Sequence, residues 1–272
     1  MVGLCLSFIL AAQGIDVSDP VKGPDGILRY TVMSPYQAAP TVLEVLLPDE
    51  PKPEDRFPAL YILPVNDGID GPWGNGVQEA RRHNVHNKHR VICVSPEYDF
   101  TPWYGDHPTD PALRQEGYLL QVVIPAVEAR HPVVAGKDGR LLIGFSKSGF
   151  GALTVLLRHL DVIGKAAVWD APLTSPRILP GEEHMLRVFV TDENYTAYYI
   201  PGLIDEHAKV LRANPDRIVL GNNGGMSKDV RAVHEQLDSL SITHAYLEDD
   251  RREHDWRSGW FPIVAARLFP AR

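Results

Sequence analysis

Cysteines, clusters of basic residues and long apolar segments are all scarce in this chain. Two cysteines occur among 272 residues, Cys5 and Cys93, which argues against a disulfide framework and against a cysteine-based metal site. Cys93 stands in an apolar, strand-like run, so we expect it in the core. Lys and Arg form no block beyond short pairs and the net charge is −8, which argues against a nucleic-acid partner.

The N-terminal segment, residues 1–14, is apolar and ends in small residues, as a short secretory signal does. It lacks Lys or Arg near Met1, and it is too short to span a bilayer; no other apolar stretch is long enough either. Two interpretations stay open. The protein is secreted or periplasmic if this segment is a signal peptide, and cytoplasmic if the segment is a buried strand or a misassigned start.

Short apolar runs alternate with helical patterns from about residue 57 onward, without internal repeats. This alternation predicts an α/β fold with a mostly parallel, doubly wound sheet and helices on both faces. Residues 27–32 and 42–47 predict two antiparallel strands at the sheet edge. We expect one domain over residues 25–272. A helix is predicted over 112–130, with Pro125 kinking or shortening it.

The run from Leu141 to Gly151 predicts a strand, a tight turn and a helix around a Gly-x-Ser step. This is the context of a nucleophile elbow, whose usual pattern is G-x-S-x-G. Here Ser148 occupies the position of the last glycine. Ser146 is the predicted nucleophile and Ser148 its rival; the alternative is a turn that merely ends a strand.

A serine nucleophile needs a general base, and the base needs an orienting acid. His254 follows the last predicted strand and precedes a final helix over 256–268, where the chain order of this fold puts the base. The alternative for His254 is an ordinary histidine of a surface loop.

The acid is the least clearly marked of the three residues. The loop after the penultimate predicted strand, residues 221–225, carries no carboxylate, and Asp229 falls within the helix that follows. Asp170 comes directly after the strand that ends at Trp169, so it is our predicted acid. Its alternative role is to cap the following turn, because Asp is a strong turn former.

An oxyanion hole requires two backbone N–H groups aimed at the developing negative charge. Lys147, the residue after the nucleophile, supplies one in this pattern. The second comes from the loop after the strand at residues 59–63. Pro64 has no N–H, so Val65 or Asn66 is the predicted donor.

The loop over residues 101–108 mixes aromatic and polar residues after another predicted strand, at the end where open α/β sheets bind ligands. We predict substrate contacts from Trp103, Tyr104, Asp106 and His107, with a self-packed surface loop as the alternative. Asp106-His107 and His254-Asp255 are isolated pairs without the spacing of metal ligands, and no phosphate-binding glycine loop is present. We therefore expect neither a metal nor a cofactor.

These residues resemble the esterase branch of the α/β-hydrolase superfamily, which includes esterase D and the feruloyl and acetylxylan esterases. The resemblance covers about residues 27–268. It departs from the family pattern at Pro64-Val65, at Ser148 and at Asn222-Asn223. The segments that carry it are Phe57-Pro58-Ala59-Leu60-Tyr61-Ile62-Leu63, Gly144 to Leu153, and His254-Asp255-Trp256 with Trp260.

The resemblance implies an α/β-hydrolase fold and a serine carboxylesterase that works through an acyl-enzyme on a small-molecule ester. Two other functions stay open: a serine peptidase of the prolyl-oligopeptidase kind, and a binding module that kept the scaffold without the chemistry. The acyl group, the alcohol and the oligomeric state are not fixed by the sequence.

Overall fold

A ten-stranded sheet runs through the computed structural model, which describes residues 14–68, 70–223 and 225–269. Across the sheet the order is β1-β3-β4-β6-β5-β7-β8-β9-β10, and β2 pairs with β3. The strands are β1 Asp16–Val17, β2 Val21–Lys22, β3 Leu28–Met33, β4 Thr41–Leu46, β5 Ala59–Ile62, β6 Ile92–Pro96, β7 Arg140–Phe145, β8 Lys165–Trp169, β9 Ile218–Asn222 and β10 Ala245–Glu248.

The sheet is parallel from β6 through β5, β7, β8 and β9 to β10, and antiparallel where β1, β2, β3 and β4 join it. This confirms the predicted α/β class with its antiparallel N-terminal edge. The predicted strands at 27–32 and 42–47 are β3 and β4. The sheet begins upstream of residue 25, where we expected the domain to start, because β1 and β2 both pair with β3.

Helices cover both faces of the sheet, as predicted. They are α1 Gly76–Arg82, α2 Val85–Lys88, α3 Gln115–Tyr118, α4 Ile124–Arg130, α5 Ser146–Arg158, α6 Glu183–Phe189, α7 Asp192–Thr196, α8 Ile200–Ala213, α9 Ser227–Ser239 and α10 Phe261–Ala266. Shorter turns are the π-helix Leu119–Val123 and the 3-10 helices Lys137–Gly139 and Trp256–Ser258. Three of these helices, α6, α7 and α8, lie in the connection between β8 and β9.

Alternate strand residues face two separate cores, since side chains in a strand point to opposite faces. In β5, Tyr61 belongs to the core beneath α5, α8 and α9, and Leu60 belongs to the core beneath α1 and α10. Cys93 is fully buried in the second core, as expected, and burial raises the pKa of its thiol above the usual range. Neither core depends on a disulfide.

The N-terminal segment that resembles a signal peptide lies outside the described residues except for Gly14. Among the described residues, no helix combines the length and the apolar character needed to cross a membrane.

Candidate active site

Ser146 lies at the turn between β7 and α5, with the backbone strain of a nucleophile elbow. Its φ is +53°, in the left-handed region that non-glycine residues rarely occupy. The turn is tight enough to need Gly144, because a Cβ there would come within 2.3 Å of the carbonyl oxygen of Ser148. The geometry therefore turns the Ser146 side chain away from the strand at the carboxyl edge of the sheet.

The hydroxyl of Ser148 is already hydrogen-bonded within the same turn. Its buried hydroxyl accepts from the N–H of Phe145 at 3.1 Å and donates to the carbonyl of Phe145 at 2.9 Å. These two hydrogen bonds link the start of α5 to the end of β7. The departure from the usual glycine at this position thus has a local role, and Ser146 is the serine left partly exposed at the elbow.

Asp170 and His254 meet although 84 residues separate them. Oδ2 of Asp170 lies 2.6 Å from Nδ1 of His254. The other carboxylate oxygen, Oδ1, accepts from the N–H of Met226 at 2.6 Å. The Ser146 N–H donates to the carbonyl oxygen of Asp170 at 3.2 Å, so the backbones of these two residues are joined directly.

Asp170 is fully buried and also holds a left-handed backbone, with φ +43°. A buried carboxylate needs donors for its oxygens, and the imidazole and the amide of Met226 supply them. Asp229, the other carboxylate near this region of the sequence, has a different role. Its Oδ2 accepts from the N–H groups of Leu173 and Thr174 and so fixes the segment that leaves the site.

Two aromatic rings pack against the imidazole of His254 in edge-to-face contacts. The centroid of Phe145 lies 5.0 Å away, and that of Trp73 lies 5.9 Å away. The loop that carries Trp73 is tied to the histidine loop, because the N–H of Trp256 donates to the carbonyl of Trp73 at 3.0 Å. The indole of Trp73 remains 41% exposed and offers apolar surface beside this imidazole.

The histidine loop is fixed on its other side by Asp255. This side chain caps the 3-10 helix at Trp256–Ser258 and accepts from the guanidinium of Arg257, which lowers the pKa of the Asp255 carboxyl. Arg257 also donates to the carbonyl of Pro72 at 2.8 Å. The loop of Trp73 and the loop of His254 are therefore held in a fixed position relative to each other.

The three predicted oxyanion residues lie beside the elbow. Lys147 occupies the first turn of α5, where N–H groups have no partner inside the helix. Val65 and Asn66 follow β5, the strand next to β7. The carbonyl of Pro64 accepts from the buried hydroxyl of Tyr104, which holds this segment in place.

The four residues predicted to contact substrate have partners within the protein, and substrate contact by them stays a prediction. Tyr104 is 0% exposed, and its hydroxyl holds the segment that contains Val65 and Asn66. Trp103 is buried under the ammonium of Lys147, 5.8 Å from its ring. Asp106 accepts from the N–H of Gly117, and His107 accepts from amides of its own loop.

Sequence reasoning missed Trp73 and Met226. Their contacts with His254 and Asp170 join distant segments, and neither residue belongs to a motif. No signal in the sequence marks Met226. The signal for Trp73 is its position in the glycine-rich loop that follows β5.

Chemically, the site combines a strained serine with an imidazole that packs against Phe145, the residue before that serine, and whose Nδ1 faces a buried carboxylate. A carboxylate only accepts hydrogen bonds, so Nδ1 carries the proton and Nε2 keeps its lone pair. That tautomer suits a general base.

The family model described as "Esterase: Putative esterase" matches residues 36–244, well over half of the chain. The chain belongs to this family. The matched range includes Ser146 and Asp170 and ends before His254.

Individual relatives agree with the family at low identity. Esterase MT1326 of Mycobacterium tuberculosis (strain CDC 1551 / Oshkosh) is 26% identical over 143 residues, which are 50% of this chain and 30% of the relative. The match therefore spans less than a third of that protein's length.

Solved structures share the fold. Fluorophosphonate-binding serine hydrolase F (FphF) of Staphylococcus aureus superposes with a TM-score of 0.70 at 14% identity, over 93% of this chain and 100% of the other. A ferulic acid esterase superposes with a TM-score of 0.65 at 16% identity, over 94% and 99% of the two chains. The chain has the α/β-hydrolase fold, as the sequence predicted.

Proposed function

We propose that this protein hydrolyses carboxylic esters through a covalent acyl-enzyme. Ser146 is the nucleophile, His254 the general base and Asp170 the acid that orients it. The observation that carries the proposal is the 2.6 Å contact between His254 and Asp170 beside the left-handed backbone of Ser146. Family membership supports ester chemistry in particular.

In the first half of the reaction, Oγ of Ser146 attacks the ester carbonyl carbon while Nε2 of His254 takes the hydroxyl proton. The N–H groups of Lys147 and of Val65 or Asn66 stabilise the oxyanion. The intermediate then collapses, the C–O bond breaks, and the imidazolium gives its proton to the leaving alcohol. Water repeats these steps on the acyl-serine and releases the acid.

The substrate is a small ester with an apolar group. The exposed indole of Trp73 lies edge-on to His254, and Met226, which is 40% exposed, bonds to Asp170 through its backbone N–H. Both side chains are suited to apolar contact. One structural relative is a ferulic acid esterase, and an aromatic acyl ester fits this class of substrate.

The test is labelling with a fluorophosphonate probe combined with hydrolysis of p-nitrophenyl acetate. We expect one label on Ser146 by peptide mass spectrometry. Ser146→Ala should lose the label and about 10⁴–10⁶-fold of the turnover, since the nucleophile is removed. Ser148→Ala is the matched control and should still be labelled.

A label on Ser148, or full turnover by Ser146→Ala, would refute the assignment of the nucleophile. A folded wild-type protein that binds ester analogues without label or turnover would refute the enzymatic function and favour the binding module. Preference for peptides over esters in a substrate screen would favour the peptidase.

A further inference from the structure

Away from the candidate active site, two histidines and an aspartate converge where α9 meets the start of β10. The residues are His234, Asp238 and His244, and one ligand atom of each lies within 4.8 Å of the other two. His234 and Asp238 are four residues apart in α9, so they share one face of the helix. His244 directly precedes β10, which begins at Ala245.

The imidazole of His244 is already oriented as a ligand. Its Nδ1 lies 2.8 Å from the carbonyl oxygen of Ile242, which can only accept, so Nδ1 carries the proton. Nε2 therefore has a lone pair, which accepts from Nδ1 of His234 at 2.8 Å, and a bound ion would displace that proton. A backbone carbonyl that fixes the tautomer of a histidine is the usual outer partner of a metal-bound imidazole.

His234 is held by packing rather than by a backbone bond. Its ring stacks on Tyr246 with the centroids 3.9 Å apart and an angle of 11° between the planes. Its Nε2 lies 3.6 Å from a carboxylate oxygen of Asp238. The ring is thus fixed between His244 and Asp238, with a nitrogen toward each.

The cluster is open to solvent on the aspartate side. The side chain of Asp238 is 63% exposed and that of His234 is 25% exposed. An ion can therefore enter, and Asp238 can rotate to complete its shell. Two imidazoles and one carboxylate, with water in a fourth position, form a tetrahedral set for Zn²⁺, whereas Ca²⁺ and Mg²⁺ prefer oxygen ligands alone.

We propose that His234, Asp238 and His244 bind a divalent transition metal ion, with Zn²⁺ the best fit. Because β10 runs parallel to β9, His244 lies at the amino-terminal end of the strand, and the catalytic residues lie at the carboxyl ends. The four-residue strand separates the two sites by about 13 Å or more. The ion would tie α9 to the edge strand and take no part in ester hydrolysis.

This proposal departs from our expectation of no metal. The sequence spacing gave no signal, since His244 follows Asp238 only after a turn, and the fold brings it beside the helix.

The test is titration of the full, chelator-treated protein with ZnCl₂ by calorimetry, and with Co²⁺ by visible absorption. We expect one ion per chain and the intense Co²⁺ bands of a tetrahedral site. His244→Ala should abolish the site, and Asp238→Asn should weaken it tenfold or more. Asp238 is exposed, so this variant should fold even if loss of a histidine perturbs the strand.

Two control variants locate the ion. His207→Ala, on the neighbouring helix α8, and His254→Ala, in the candidate active site, should each keep the full stoichiometry. Binding that survives both Asp238→Asn and His244→Ala, binding that is lost in His254→Ala, or no saturable zinc binding at all would each overturn the proposal.

Discussion

Asp170 has a strained backbone, and two hydrogen bonds hold its carboxylate. Three non-glycine residues at the site have positive φ, namely Tyr104, Ser146 and Asp170. Such conformations cost on the order of 1 kcal/mol or more each and persist where the surrounding structure fixes them. Here the fixing contacts are the Ser146–Asp170 backbone bond, the Met226 amide and the hydroxyl of Tyr104.

We predict that Asp170→Asn lowers kcat about 10⁴-fold while the fold is kept. Asn tolerates the left-handed backbone, and its Oδ1 can still accept from Met226. Its Nδ2 would face His254 and can only donate, so the imidazole would place its proton on Nε2 and could not act as a base. The measurement is steady-state hydrolysis of p-nitrophenyl acetate.

Asp229→Asn is the control for this prediction, because Asp229 contacts the amides of Leu173 and Thr174 and not His254. Its kcat should stay within a few-fold of wild type. Equal losses in the two variants would mean that Asp170 does not act through the histidine.

At the scale of single elements, α5 depends on the serine that replaces the usual glycine. We predict that Ser148→Ala lowers the free energy of unfolding by about 1–2 kcal/mol, because it removes two buried hydrogen bonds to Phe145. Urea denaturation measures the change. Ser239→Ala loses only an exposed bond at the end of α9 and should stay within about 0.5 kcal/mol of wild type. Unchanged stability in Ser148→Ala would contradict the capping role.

The elbow was predictable because its signal is local: an apolar strand, Gly144 and Ser146, then a helical pattern.

The path of the chain around Pro125 was not predictable in the same detail. We expected Pro125 to kink or shorten the helix over 112–130. The helical run extends from Gln115 to Arg130, and a π-helical turn at Leu119–Val123 separates α3 from α4, which carries Pro125 in its first turn. The N–H of Ile124 bonds to the carbonyl of Leu119 five residues back, so the helix widens just before the residue that has no N–H to offer.

At the scale of the whole molecule, the site is assembled from the ends of β5, β7, β8 and β10. Chain order indicated His254 because the base of this fold follows the last strand. Its contact with Trp73 could not be predicted, since it depends on how two irregular loops pack. The same limit applies to His234 and His244, which meet only because the edge strand returns along α9.

The antiparallel edge is joined to the helix layer by a half-buried histidine. Nε2 of His131, just after α4, lies 2.9 Å from the hydroxyl of Tyr30 in β3. Burial, together with the nearby charge of Arg130, lowers the pKa of His131 from 6.5 to about 4. The folded protein therefore holds this imidazole neutral at pH values where the unfolded chain would protonate it.

We predict that stability falls as the pH drops from about 6.5 to 4, because over this range the unfolded state binds a proton that the folded state does not. The contribution of His131 is on the order of 1–3 kcal/mol, fully present above pH 6.5. His131→Gln keeps a partner for Tyr30 and does not titrate, so its free energy of unfolding should change less between pH 7 and pH 4.5. His184→Gln, at an exposed histidine of α6, should follow the wild-type profile. If urea denaturation gave wild type and His131→Gln the same pH dependence, His131 would not be the group responsible.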